Sequence, residues 1–299
     1  MQLELANNGY GSPSRPTSRR VELLADWIEA QTLLINAPLS QSWMVDVLDD
    51  AGLVRNEDEG WQLVDDAYGR CRSRMRQLRA AYPFSIAGGE IEIASEATAY
   101  RFCLMASLPE QITSLRTSFS SAFRDLFEEV TAESVRRSLP DWEVIHTGWT
   151  KIAAGGHGNV VRLVADSAKA RTHDVSVFPH ANDAQVDIAA FWPFIDGRAG
   201  FPILLGQCAT GATDWQDKAA RPNLDRWIKA VQFSAKPHRF FAIPFSLDDE
   251  TFNTTSFECD GLVLERNRIC RPLESLPSEL DAKIKEWLES AVRVLPLAA

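Results

Sequence analysis

Two apolar segments separated by a turn-rich stretch constrain this chain more than any other feature. The first is Asp183-Ala184-Gln185-Val186-Asp187-Ile188-Ala189-Ala190-Phe191. The second is Phe201-Pro202-Ile203-Leu204-Leu205-Gly206-Gln207-Cys208-Ala209-Thr210-Gly211. Both are short and rich in Val, Ile, Leu and Phe, so they read as buried strands. Pro193, Asp196-Gly197 and Gly200 supply the turn between them. Each strand carries one polar, metal-competent side chain, Asp187 on the first and Gln207 on the second. A carboxylate buried in an apolar strand is costly without a partner or a cation, which makes Asp187 the leading candidate for a functional residue.

At 299 residues the chain is long enough for about two domains. Its composition, 45% hydrophobic and 24% charged with nine tryptophans, is that of a globular protein able to fill a core. No apolar run approaches the ~20 residues of a membrane span, so no membrane association is expected. Residues 1–20 are polar and lack the apolar centre of a signal peptide, which predicts a disordered leader. Cys71, Cys103, Cys208, Cys259 and Cys270 are odd in number and never spaced C-x-x-C. That pattern points to a reducing cytoplasm and away from a disulfide framework or zinc knuckle. The net charge of −10 argues against a protein that coats nucleic acid non-specifically. It is compatible with a nuclease, whose metal-binding carboxylates are themselves negative.

Residues 21–108 read as a mostly helical domain. Val21 to Leu34 and the segment after Ser40 show helical spacing, and a third helix is predicted over about 62–81. Tyr82 to Ile93 alternates at period two around Gly88-Gly89, a hairpin signal. Three helices followed by a hairpin is the order of a winged helix. The third helix carries Arg70, Arg72, Arg74, Arg76 and Arg79, a local basic patch hidden by the bulk charge. As a recognition helix it would put Arg72, Arg76 and Arg79 on phosphates; as a solvated face it would serve protein contacts instead.

Residues 109–299 form the second predicted domain. A long helix is expected from Pro109 to Pro140 on the stripe Phe119, Phe123, Leu126, Phe127 and Val130. A strand follows over 142–149, then the two strands above and a helix over about 223–234. Strands over 239–245 and 261–265 and a closing amphipathic helix over 279–294 complete an α/β order with a mixed sheet. The other chemical candidates are weaker. Gly155-Gly156-His157-Gly158 lacks the Gly-Lys-Ser/Thr ending of a phosphate loop and reads as a turn. The five histidines show no metal-ligand spacing. Cys208 reads as a small buried hydrophobe. Trp192 and Trp215 are candidates for base stacking or for the core.

The segment Phe123-Arg124-Asp125-Leu126-Phe127-Glu128-Glu129-Val130 followed by the strand ending Thr147-Gly148, and then Asp183-x-x-Val186-Asp187, resembles the PD-(D/E)XK nuclease superfamily, in particular its Mrr-like branch. The resemblance covers roughly residues 115–265. It implies a restriction-endonuclease-like mixed sheet flanked by helices, and hydrolysis of phosphodiester bonds with Mg²⁺ or Mn²⁺. Asp187, Gln207 and a helix carboxylate (Glu128 or Glu129) would hold the ion. The third strand departs from the family pattern, with Gln207 in place of Glu and Ala209 in place of Lys. Lys218 is the expected substitute for the missing cation. The implied substrate is nucleic acid, DNA ahead of RNA, in a restriction or phage-defence setting, with protein partners reached through the N-terminal domain. The alternative implied by the departures is a non-catalytic nuclease-like subunit that docks within a larger complex.

Overall fold

The computed structural model describes residues 17–112, 115, 122–147, 157–178, 184–211 and 214–295. The N-terminal elements are α1 (Thr17–Ile35), β1 (Leu39–Ser40), α2 (Gln41–Asp50), α3 (Glu57–Leu78), β2 (Phe84–Ala87), β3 (Glu90–Ile93) and α4 (Thr98–Gln111). Ser40 caps α2 by accepting from the Trp43 amide at 3.2 Å, as its sequence position suggests. Asn56 caps α3 by accepting from Glu59 N, so this helix begins about five residues before the expected start. The β2–β3 turn uses Gly88 and Gly89 at φ +58° and +80°, a conformation that favours glycine. The three short strands pair antiparallel in the order β1-β3-β2.

The expected helix from Pro109 is corrected. Pro109 lies in the last turn of α4, and α5 begins at Ala122. Helix α4 is apolar nearly all round, with Ala99, Tyr100, Phe102, Cys103, Leu104, Met105, Ala106 and Leu108 all buried. That burial outweighs the one ladder hydrogen bond the proline forfeits, and it erases the one-sided periodicity that marks a surface helix.

The rest of the chain runs α5 (Ala122–Ser138), β4 (Glu143–His146), α6 (His157–Ser167), β5 (Arg171–Thr172), β6 (Ile188–Phe191), β7 (Ile203–Cys208), α7 (Leu224–Ala230), β8 (Val231–Gln232), β9 (His238–Ala242), α8 (Asp249–Cys259), β10 (Gly261–Leu264), α9 (Arg266–Cys270) and α10 (Ser278–Arg293). The fold is mixed α/β around a five-stranded sheet in the order β10-β9-β7-β6-β4. Strands β4, β6 and β7 form an antiparallel meander, whereas β7, β9 and β10 are parallel and need helical crossovers. Alternation divides the sheet among three cores, the third holding Phe241 of β9 and Val263 of β10 with Trp215. Ile188, Ala190, Leu204 and Phe240 face α5, α4 and α10, and Ala189, Phe191, Ile203 and Leu205 face α6 and α7.

A buried ionic cluster joins the two parts of the chain. Glu22, Asp26 and Glu29 share one face of α1 and are at most 4% exposed. Arg74 of α3 meets them at 2.6, 2.8 and 2.9 Å. Arg266 of α9 donates to both Asp26 oxygens at 2.7 Å, and Tyr82 and Tyr100 donate to Glu29 at 2.7 and 2.8 Å. Burial opposes the Asp26 charge, but Arg266 and then Arg74 overcome it and hold the carboxyl down at about 2.

Two outcomes are expected. Arg74→Leu, which removes the guanidinium shared by three buried carboxylates, should cost about 3–5 kcal/mol in a denaturant titration, and Arg74→Lys should recover only part of it. Because the folded Asp26 carboxyl sits below its usual 3.8, its contribution is complete above pH 4 and is lost as pH falls toward 2. Thermal melts of Asp26→Asn should therefore show lower stability at pH 7 and a shallower decline between pH 4 and 2 than wild type.

Candidate functional site

The meander brings Asp187 and Gln207 together at one end of the sheet. In the β6–β7 register Ile188 pairs with Gly206, which sets Asp187 beside the C-terminal end of β7. The Asp187 amide donates to Gly206 O and the Thr147 amide donates to Asp187 O, both at 2.8 Å. Gly206 permits the close packing here: a Cβ at this position would lie 1.9 Å from the Phe240 ring. Asp187 is 4% exposed. Its Oδ2 accepts from the Cys208 amide at 2.6 Å and from Gln207 Nε2 at 2.5 Å. Gln207 Nε2 also donates to Cys208 O at 3.1 Å, so two acceptors surround this nitrogen and its orientation is consistent on both sides.

The two candidate carboxylates of α5 diverge. Glu128 Oε2 lies 2.7 Å from His146 Nε2 at the end of β4, and both side chains are largely buried. Glu129 points toward the C-terminal helix, where Lys283 Nζ is 3.6 Å away. Alternation along β7 puts Cys208 on the face covered by α5 and Gln207 on the opposite face. Glu128, His146 and Cys208 thus occupy one side of the sheet end, while Asp187 and Gln207 close it from the other. Burial, and then Asp187 and Glu128, push the Cys208 thiol well above its usual range, so it stays protonated and is not a thiolate nucleophile.

His146 shows no metal-ligand spacing in the sequence; its contact with Glu128 is visible only once α5 and β4 are packed together. Lys218 takes a different place from the one its sequence position suggests. Its ammonium pairs with Asp214 at 2.8 Å within the turn after β7, and it is joined to Asp214 rather than to Asp187 or Gln207. Ala209 is buried at 2% exposure. Trp215 is core, stacked on Phe241. Trp192 is 41% exposed but stacks on Trp142 at the far end of β6 from Asp187. Of the four arginines on α3 and Arg79 just past its end, Arg74 and Arg70 turn inward to the α1 carboxylates, with Arg70 at 2.6 Å from Glu22. Arg72 reaches Asp65 at 3.3 Å, and Arg76 and Arg79 are exposed. Residues 155–156 of the glycine turn, and Gly148 of the Thr147-Gly148 strand end, lie outside the described residues.

Among the described residues, no three His, Cys, Asp or Glu side chains converge as a metal cluster. Asp187 and Gln207 meet on one side of the sheet end, with the Gln207 amide nitrogen turned to Asp187, and Glu128 lies on the other side against His146; carboxylate oxygens are the type of donor that a hard divalent cation takes. No helix among the described residues is long and apolar enough to cross a membrane. Comparison of the chain with protein-family models, curated proteins and solved structures finds no match.

Because Asp187 Oδ2 satisfies a main-chain amide and a side-chain amide at once, removing it does more than delete a charge. Asp187→Ala is expected to lower unfolding free energy by about 1–3 kcal/mol, and Asp187→Asn, which keeps one acceptor, by less. Urea titrations of both variants check this ordering.

Proposed function

We propose that this chain is a metal-dependent nuclease that hydrolyses phosphodiester bonds, acting in the cytoplasm on DNA. The observation that carries the reading is the Asp187–Gln207 pair held at the end of two adjacent strands, with Glu128 of the preceding helix directed at the neighbouring strand. The order α5, β4, β6, β7, crossover, β9 supports a restriction-endonuclease-like core, because it sets the Asp187 and Gln207 strands side by side in a mixed sheet behind the helix that carries Glu128. The order α1, β1, α2, α3, β2, β3, with β3 between β1 and β2, supports a winged-helix-like module in front of it. Arg76 and Arg79 at the end of α3, with Arg72 nearby, are its candidate phosphate contacts. A restriction or phage-defence role, and protein partners at the N-terminal module, go with the same reading.

Asp187 and Glu128 are the carboxylates that would hold Mg²⁺ or Mn²⁺, which when bound supplies charge neutralisation at phosphate and an acidified water; Gln207 would add its amide oxygen only by turning from the orientation in which Nε2 donates to Asp187. The chain's own part is positioning. The Cys208 amide orients the Asp187 carboxylate, and the Gln207 side chain is fixed by its two acceptors. His146 fixes the Glu128 carboxylate. Lys218 serves as the cation for the developing phosphate charge only by leaving Asp214. That pairing, together with buried Ala209, favours a second reading: a nuclease-like subunit without catalysis that docks nucleic acid inside a larger complex.

A cleavage assay on plasmid and single-stranded substrates with Mg²⁺ or Mn²⁺ separates the two. Under the first reading Asp187→Asn and Glu128→Gln each lower the turnover rate by about 10² or more while the protein stays folded. Lys218→Met lowers turnover similarly with little change in substrate affinity. Arg76→Ala with Arg79→Ala weakens binding and reduces its salt slope by about two. Wild-type protein that binds nucleic acid with this arginine dependence but cleaves nothing establishes the second reading instead.

A further inference from the structure

The backbone that leads into Asp187 is strained. Ala184 and Gln185 follow one another at φ +55° and +61°, in the left-handed region that residues with a Cβ rarely adopt. Neither is the glycine or asparagine that such a turn favours. Each lowers the population of the turn by a factor on the order of tenfold relative to ordinary backbone. Residues held this way persist only where the surrounding contacts over-determine them, and they gather at functional sites.

The contacts that hold this turn come from two elements distant in sequence. Trp227 of α7 donates its indole N–H to Ala184 O at 3.0 Å, and Thr147, just past β4, donates its hydroxyl to Val186 O. The Thr147 amide adds a bond to Asp187 O. Ala184, Val186, Thr147 and Trp227 are all fully buried. Phe178 packs on the Trp227 ring with centroids 5.5 Å apart, which fixes the indole in turn. A buried carbonyl that loses its donor pays the whole desolvation cost of that group. Relaxing Ala184 and Gln185 to ordinary φ would swing these carbonyls off their donors. It would also turn Asp187 away from the Cys208 amide from which its Oδ2 accepts.

We propose that Trp227 and Thr147 are positioning residues for Asp187, clamping a strained turn so that its carboxylate stays aimed at the end of β7. Both side chains act through main-chain carbonyls. Their effect on catalysis rests on the nuclease reading, whereas their effect on the placement of Asp187 does not.

The test is amide hydrogen exchange, followed by NMR on the full chain. Trp227→Phe keeps an aromatic ring but removes the N–H, and Thr147→Val is close to isosteric but lacks the hydroxyl. Each should speed exchange of the Cys208 amide on the order of tenfold and leave the Leu204 and Leu205 amides of β7 unchanged. Thr147→Ser, which keeps the hydroxyl, should exchange like wild type. Adding Gln185→Gly should reverse the effect of Trp227→Phe, because glycine takes a positive φ without the Cβ clash. In the cleavage assay Trp227→Phe and Thr147→Val should lower kcat about tenfold or more, leave KM within about twofold, and Gln185→Gly should restore the rate of Trp227→Phe. Wild type that cleaves nothing removes the nuclease reading alone, and the Cys208 amide still decides the clamp. Unchanged Cys208 exchange, faster exchange of every β7 amide in step with a lower melting temperature, or failure of Gln185→Gly to restore protection overturns the proposal.

Discussion

Everything in this molecule is referenced to the buried cluster around Arg74 and Arg266. Three carboxylates on one face of α1 have been taken out of water, an arrangement that costs several kcal/mol per ion unless geometry repays it. Here it does. Planar guanidinium groups meet the carboxylates in fork geometry, and two tyrosine hydroxyls complete Glu29. Arg266 is decisive because it comes from the other end of the chain. It begins α9 directly after β10, so its two bonds to Asp26 fix the end of the parallel strands against α1. The apolar core follows the same line, with residues from α1 to α5, the sheet and α10 in one continuous cluster. Moving the N-terminal helices relative to the sheet would require breaking charges apart in a dry interior.

A further buried carboxylate lies inside the sheet, beside the C-terminal end of β7. Asp187 is held by a main-chain amide, the Cys208 N–H, which cannot rotate away, and by Gln207 Nε2. A carboxylate held this way keeps its orientation and has one oxygen committed to the protein. The Glu128–His146 pair is the counterpart on the α5 face, where a side chain from a helix is held by a side chain from a strand. Candidate oxygen donors therefore approach the strand ends from both faces of the sheet, a geometry that neither face offers alone.

The parts of this arrangement legible in the sequence are those whose local chemistry is one-sided. Apolar strands bounded by Gly and Pro, the Ser40 cap and the Gly88-Gly89 turn each declare themselves within a few residues, and the mixed α/β order follows from them. The pairing of Asp187 with Gln207 was also accessible, because two successive strands joined by a turn pair antiparallel by default. What was hidden depends on tertiary contact. Helix α4 is buried on all sides and so shows no period. Glu128 and Glu129 are adjacent in sequence, and only packing sends one to His146 and the other toward Lys283. The Lys218–Asp214 pair is a local i, i+4 contact that competed with the longer reach to the sheet, and local closure asks for less conformational entropy.

The net charge of −10 misleads for a physical reason that the cluster explains. Glu22, Asp26 and Glu29 count toward the total, yet they are neutralised within the protein by Arg70, Arg74 and Arg266 and contribute little field outside it. Cations left at the surface are then not diluted. Arg76 follows the buried Arg74 on α3 and Arg79 lies just past the end of that helix, and both are exposed. The same helix therefore uses its inward arginines to hold the fold together and leaves its last turn to border a basic surface. Bulk charge averages over both roles, so the acidic total does not describe the charge at the end of α3.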